Sequence, residues 1–314
     1  MAGILYLVIP CYNEEEALPI TAPILQEKMH RLMDSGVIAE NSKIIFVNDG
    51  SMDLTWKLIC RYHEEDPIFG GINLSRNRGH QNALLAGLMT VKDDADVVIS
   101  LDADLQDDVD AIDKMIAKYD EGYDVVYGVR NDRKTDSFMK RWSAQSYYRF
   151  ARRMGGELIY NHADYRLMSR RAIEGLSQFS EVNLFLRGII PLVGYPSTTV
   201  QYSRNKRNAG KSKYTLGKMM ALAIDGITSF SVKPMRFVMV TGFITFLISI
   251  GMLIYTLIRF FTGHTITGWS SMNVSIWFIG GIVLLSLGIV GEYIGKIYLE
   301  TKNRPKYIVE EYLK

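Results

Sequence analysis

The sequence predicts an α/β fold, a mostly parallel sheet with helices on both faces, followed by two C-terminal transmembrane helices. Three observations carry this expectation. Five apolar runs alternate with helical stretches over residues 4–129. These runs lack polar alternation, as strands covered on both faces do. Two uncharged runs, Phe237–Ile258 and Trp269–Gly291, follow near the C-terminus, and each is about as long as a bilayer-crossing helix.

The strand candidates are ILYLVI (4–9), KIIFV (43–47), GGINLS (70–75), ADVVISL (95–101) and YDVVYGV (123–129). Helical stretches lie between them, roughly Glu14–Ser35, Met52–Glu65, Gln81–Lys92 and Val109–Asp120. The apolar start, ILYLVIP, has no basic residue ahead of it and runs into NEEE, so it reads as a strand rather than a cleavable signal. Cys11 and Cys60 have neither metal-ligand spacing nor a disulfide framework, which suits a reducing compartment.

The two uncharged runs have no polar face to turn toward water, so buried core helices are the weaker reading. Lys233 and Arg236 precede the first run, and Lys296, Lys302, Arg304 and Lys306 follow the second, whereas the connecting RFFTGHTITG carries only Arg259. The positive-inside rule then places the large domain and both termini in the cytoplasm. The expected organisation is a cytoplasmic catalytic domain over 1–232, two spans at about 235–259 and 269–292, and a cytoplasmic tail over 296–314.

In a parallel sheet of this kind, ligands bind beyond the carboxyl ends of the strands. The segments there are PCYNEEE, NDGS, RNRGH and DADLQDD. Neither GxGxxG nor GxxxxGK[ST] occurs among them, which disfavours a dinucleotide-binding dehydrogenase or a P-loop enzyme. Asp102, Asp104, Asp107 and Asp108 crowd like charge behind a buried strand. A divalent cation resolves that repulsion. Asp102 and Asp104 alternate about one residue and can aim at one ion, and hard oxygen ligands suit Mg²⁺ or Mn²⁺ shared with substrate phosphates. The alternative is that the aspartates cap the helix expected near Val109, a role that suits Asp107 and Asp108 best.

PCYNEEE, VNDGS, RNRG and DADLQDD, in this order, resemble the family 2 glycosyltransferases of GT-A fold. YGVR (127–130), ADYRLMSRRAI (163–173), NLFLRG (183–188), RNAGKSKY (207–214) and the two spans narrow the resemblance to the polyprenyl-phosphate glycosyltransferases, which include dolichol-phosphate mannose synthases and bacterial undecaprenyl-phosphate glucosyltransferases. That resemblance implies that Pro10, Tyr12, Asn13, Glu14 and Asp49 frame the nucleoside. It implies that Asp102, Asp104 and Gln106 hold the metal and diphosphate, and that Arg130 reaches the phosphates. Tyr12 reads equally as core packing. His80 departs from a position that is often basic in relatives and receives no role.

Residues 130–171 hold eleven Lys or Arg against four Asp or Glu. Within them FMKRWSAQSYYRFARRM, on a helix expected at about 138–155, reads as lying on anionic lipid through Trp142, Tyr147 and Phe150. A solvated or sheet-packed basic helix is the competing reading, and a membrane tether disfavours nucleic acid as the partner. RNKRNAGKSK (204–213) carries five basic residues and no acid. Gly210 and Ser212 would let Arg207 and Lys213 close over the acceptor phosphate, and a helix at about 213–232 would lead the acceptor toward the first span.

The expected activity is inverting transfer from a nucleotide sugar, UDP-glucose or a related UDP-sugar, to a polyprenyl phosphate such as undecaprenyl phosphate, supplying a lipid-linked sugar for cell-envelope glycosylation. Homo-oligomerisation stays open. Asp164, with Arg166, Arg170 and Arg171 as its expected partners, would orient the acceptor rather than act as a base. One rival is a GT-A synthase that extends a polysaccharide or glycolipid, although the QxxRW motif of processive enzymes is absent and NLFLRG stands in a comparable place. Another is a non-catalytic nucleotide-sugar sensor, against which the intact DAD triplet argues.

Overall fold

The computed structural model describes residues 3–130, 162–181, 185–203, 233–262 and 268–314. The chain divides into two compact units, the larger formed by residues 1–149, 157–216 and 304–314 and the smaller by 150–156 and 217–303.

The larger unit is built on one eight-stranded sheet. Its first five strands fall where the apolar runs predict: β1 (Leu5–Cys11), β2 (Lys43–Asn48), β3 (Phe69–Leu74), β4 (Val97–Ser100) and β5 (Val125–Arg130). The helices between them are α1 (Leu18–Asp34), α2 (Thr55–Glu65), α3 (His80–Val91) and α4 (Ala111–Asp120). Three further strands complete the sheet: β6 (His162–Ser169), β7 (Ser197–Tyr202) and β8 (Val309–Leu313). Two short helices, α5 (Arg170–Ser177) and α6 (Leu186–Leu192), lie between β6 and β7.

The strand order is β7-β5-β6-β4-β1-β2-β3-β8. β1 pairs in parallel with β2 and β4, β2 with β3, and β5 with β7, whereas β6 runs antiparallel to β4 and β5, and β8 to β3. All seven residues of β1 are buried, as the centre of a doubly covered sheet requires. Leu5, Leu7 and Ile9 join Leu18, Leu25 and Met29 of α1 and Ile112 and Met115 of α4 in one core. On the other face Gly87 of α3 lies against Val8 and Val47 so closely that a Cβ would collide with both. Pro10 fits a central strand because β4 stops pairing at Val8, leaving its missing N–H without a ladder to break.

The smaller unit contains α7 (Lys233–Phe261) and α8 (Trp269–Lys302). These helices contain the two predicted apolar runs and extend beyond both. After α8 the chain returns to the sheet, since Val309–Leu313, within the stretch expected as a tail, forms β8 against β3. The basic helices expected at about 138–155 and 213–232 lie outside the described residues.

Candidate active site

The carboxyl ends of β1, β2, β3 and β4 bring four loops to one edge of the sheet, and antiparallel β6 begins beside them. Beyond β1, the exposed Asn13 adopts a left-handed backbone, φ 53°. Asn is one of the few residue types that accept this conformation. Its backbone N–H donates to Ser51 Oγ at 3.0 Å, and its Oδ1 accepts from the Met52 N–H at 2.9 Å. The Glu14 N–H donates to Thr55 Oγ1 at 2.9 Å. Tyr12 is 37% exposed, so the core-packing reading of it does not hold.

Asp49, directly after β2, is buried. Its Oδ1 accepts from the Arg78 N–H at 2.6 Å and its Oδ2 from the Gly79 N–H at 2.8 Å, fastening the loop after β3 to the one after β2. Burial pushes its carboxyl above the ordinary carboxylate value, against the pull of those two donors. Gly50 makes the fastening feasible. It has φ 62°, and a Cβ there would sit 2.5 Å from the Arg76 carbonyl carbon and the Asn77 nitrogen. Cys11 ends β1 nearby, but burial raises its thiol well above the ordinary value, so it is no nucleophile here.

Beyond β4, Leu105 is also left-handed, φ 47°, a conformation that costs a β-carbon-bearing residue about 1–2 kcal/mol. The loop is held in that shape from several sides. Ala103 O accepts from Thr21 Oγ1 at 2.6 Å, Asp104 Oδ1 accepts from the Gln106 N–H at 3.3 Å, and Asp108 O accepts from the Tyr165 hydroxyl at 3.0 Å. Backbone strain of this kind concentrates at functional sites. The cap expectation for the later aspartates is corrected in part. Asp108 Oδ1 accepts from the Asp110 N–H near the start of α4, but Asp107 is buried and accepts from the Tyr202 hydroxyl at 2.6 Å, anchoring β7. The carboxylates of Asp102 and Asp104 remain partly open to solvent, and Gln106 is buried.

β6 delivers the second half of the site. Ser100 Oγ donates to Asp164 O at 2.6 Å and stands in register with Arg166, which ties the start of β6 to the end of β4. Asp164, 13% exposed at its side chain, accepts from Arg166 Nη2 at 2.5 Å. It also accepts from Arg187 Nε at 3.2 Å and Arg187 Nη2 at 2.9 Å, a two-point grip. Burial alone would raise the Asp164 carboxyl, but Arg166 and Arg187 hold it well below the ordinary carboxylate value. The Arg166 side chain is 1% exposed, and among the described residues its Nε and Nη1 have no hydrogen-bond partner.

The expected partners Arg170 and Arg171 are elsewhere. Arg170 pairs with Asp96 at 3.1 Å and Arg171 with Asp124. Strand alternation explains this: residues 164 and 166 share a face of β6, whereas 170 and 171 lie past its end on α5. Arg187, at the start of α6, takes their place, and the Leu186 N–H donates to Gln81 Oε1 of α3 at 2.9 Å. His80 also belongs to the cluster, with Nε2 3.6 Å from Asp102 Oδ1 and 3.7 Å from Asp164 Oδ2. Its place directly after RNRG, where the loop that follows β3 opens α3, is the signal in the sequence. Arg187 had no such signal beyond the NLFLRG motif.

The Arg130 backbone ends β5, but its side chain, like Arg207, Ser212 and Lys213, lies outside the described residues. Among the described residues no three His, Cys, Asp or Glu side chains converge as a metal cage. Two solvent-reaching carboxylates on one strand-end turn still fit Mg²⁺ or Mn²⁺, which keep waters and substrate phosphates as their remaining ligands.

Glycosyl transferase family 2 matches residues 6–176, and the GtrB C-terminal hairpin matches residues 233–297. The chain belongs to glycosyltransferase family 2. It is 50% identical to the uncharacterized glycosyltransferase YkoT of Bacillus subtilis, over 98% of this chain and 91% of that one. It is 40% identical to the bactoprenol glucosyl transferase of Shigella phage SfX, over 97% of this chain and 98% of that one. A prophage bactoprenol glucosyl transferase homolog of Escherichia coli is 39% identical over 97% of each.

Proposed function

We propose that the protein transfers glucose from UDP-glucose to the phosphate of a polyprenyl lipid, undecaprenyl (bactoprenol) phosphate, at the cytoplasmic face of the membrane. Near full-length similarity to proteins named bactoprenol glucosyl transferases supports the substrate class. The observation in the site that carries the reading is the Asp164–Arg166–Arg187 cluster. It sets two guanidinium groups around one carboxylate, with Arg187 37% exposed at its side chain, a local excess of positive charge that suits an anionic acceptor.

In this reading Tyr12, Asn13, Glu14 and Asp49, with Pro10 at the strand end, hold the nucleoside. Asp102 and Asp104, with Gln106, would hold Mg²⁺ or Mn²⁺, and Arg130 would meet the diphosphate. A bound cation would neutralise charge that builds on the leaving nucleoside diphosphate. Arg207, Ser212 and Lys213 join the β6 cluster at the lipid phosphate, with the buried Arg166 adding its charge from behind Asp164. An acceptor phosphate oxygen bonds to the anomeric carbon as the carbon–oxygen bond to UDP breaks on the opposite side, and the bonding pair leaves with UDP. The anomeric configuration inverts. The acceptor oxygen is already anionic at neutral pH, so no proton has to be removed. Asp164, held ionised by its arginines, keeps them in place.

The two helices α7 and α8 are read as membrane spans. Phe278–Lys302 of α8 is long and apolar enough to cross a membrane, and little of it is buried. Phe243, Ile244, Leu247 and Ile248 of α7 are exposed, as side chains facing lipid would be. Because β8 returns to the sheet that β1 to β7 build, the excursion between them must cross a bilayer an even number of times. Two spans satisfy this.

The test is a panel of radiolabelled sugar nucleotides offered to membranes supplied with undecaprenyl phosphate, followed by solvent extraction. Label from UDP-glucose should enter the lipid phase only when the lipid phosphate is added. Label entering polymer, with no dependence on lipid phosphate, would transfer support to the polysaccharide-synthase reading.

A further inference from the structure

We propose that Glu310, on the C-terminal strand β8, is a positioning residue for the donor-binding turn, acting through Asn73 and Asn48. The inference rests on the reading of Asn13 and Asp49 as donor contacts and adds a support that lies far from them in sequence.

A continuous line of side-chain hydrogen bonds joins the edge of the sheet to that turn. Glu310 Oε2 accepts from Asn73 Nδ2 at 3.2 Å. Asn73 Oδ1 accepts from Asn48 Nδ2 at 2.7 Å, the two asparagines standing opposite each other on β3 and β2. Asn48 Oδ1 accepts from the Ser51 N–H at 3.2 Å, and Ser51 Oγ accepts from the Asn13 N–H at 3.0 Å.

The line has a direction, and its ends set it. An ionised carboxylate only accepts, and a backbone N–H only donates, whereas each amide side chain has one donating and one accepting end. Glu310 therefore requires Asn73 to turn its NH₂ outward and its oxygen toward Asn48. Asn48 must then donate to Asn73 and present its own oxygen to Ser51. A reversed line would set the Asn48 NH₂ against the Ser51 N–H. Asn48 is 2% exposed, so water is not at hand to relieve such a clash. The left-handed Asn13 is held at the far end of this line, and its Oδ1 in turn accepts from the Met52 N–H. The strand that carries Glu310 follows α8, so a segment downstream of the hairpin helps to shape the donor turn.

The polarity argument gives a test that simple loss of packing does not mimic, made on the full chain in detergent or nanodiscs. Glu310→Lys faces Asn73 with a donor, so Asn73 must turn its oxygen outward and its NH₂ toward Asn48, which reverses the line. It should raise donor KM about tenfold, the equivalent of one mis-set hydrogen bond, with kcat and acceptor KM within about twofold. Glu310→Gln alone should behave as wild type, because its amide oxygen still accepts. Glu310→Lys combined with Asn73→Asp should restore donor KM, since the new carboxylate accepts from both the lysine and Asn48 and the line keeps its direction. Asp49→Asn is measured beside them. A raised donor KM for Asp49→Asn together with an unrescued double variant overturns the inference alone. An unchanged donor KM for Asp49→Asn overturns the donor-site reading and this inference with it.

Discussion

At the start of β6, Asp164 lies against Arg166, Arg187 and, more distantly, His80. At the other end of the same strand, Asp124 accepts from Ser169 Oγ at 2.8 Å and from the guanidinium of Arg171, while Arg170 pairs with Asp96. The two clusters use the same residue types at the two ends of one strand, but they differ in burial and in what their partners leave over. Arg171 is 58% exposed at its side chain and lies 4.7 Å from the Tyr195 ring centroid, and a cavity of about 510 Å³ opens beside it. Arg166 is buried, and among the described residues two of its guanidinium nitrogens have no hydrogen-bond partner. An arginine at the surface completes its hydrogen bonding with water, so its ion pair contributes little beyond fastening the fold. A buried arginine with donors to spare is costly unless something anionic arrives. Hydrogen-bond accounting therefore separates the candidate active end of the strand from the structural end, which charge alone does not.

The largest expected effect is at the candidate metal turn. Asp104→Asn should reduce transfer by at least about a hundredfold, because a neutral amide competes poorly with the cation's hydration shell. The fold should persist, as read by an unchanged far-UV spectrum and melting temperature. Full turnover in excess chelator would remove the metal from the account.

Arg187→Ala should come next. It takes the two-point grip off Asp164, so acceptor KM should rise about tenfold or more, in line with the loss of a charge-assisted pair, while donor KM changes little. If donor KM rises instead, the β6 cluster belongs to the nucleotide.

At the opposite end the pattern should invert, with stability lost and activity kept. Asp124→Asn should lower unfolding stability by about 1–3 kcal/mol and leave kcat/KM within twofold. Burial would raise the Asp124 carboxyl, but Arg171 and Ser169 hold it below the ordinary value. Its contribution is therefore present above the unfolded carboxylate pKa and is lost as pH falls through the depressed folded value. The difference in melting temperature between wild type and Asp124→Asn should shrink in acid. The smallest effect is Ser169→Ala, which removes the N-cap that accepts from the Ala172 N–H and should cost about 1 kcal/mol with no change in either KM.

Much of this molecule was legible from its apolar runs. β1 to β5 lie where unbroken runs of Ile, Val and Leu place them, and the four loops that follow the parallel strands β1 to β4 carry the residues singled out. β6, β7 and β8 were not legible because HADYRLMS, STTVQY and VEEYL mix polar and apolar residues. β6 buries an arginine against a partner two residues away, and the other two are edge strands that meet solvent along one side. Helix α1 begins at Leu18, later than the NEEE run suggests, since Glu14 and Glu15 spend their N–H groups on Thr55 and Asp53 in a turn. The DAD turn stood out as a candidate through its charge repulsion, and the motifs around it gave that reading its weight. The grip of Arg187 on Asp164 was not, because it joins residues far apart in sequence through antiparallel pairing that no local pattern announces.

The central claim is that an anionic phosphate, needing no base, attacks at a site that Asp164 only orders. The most direct test is the pH dependence of kcat for wild type and Asp164→Asn at saturating undecaprenyl phosphate. Asp164 is held ionised well below the ordinary carboxylate range, so the wild-type profile should show no ascending limb that the substitution removes. The variant should keep kcat within about tenfold while its acceptor KM rises, the signature of lost binding rather than lost chemistry. A fall in kcat of several orders of magnitude with acceptor KM intact would make Asp164 the base for a hydroxyl acceptor and contradict the account.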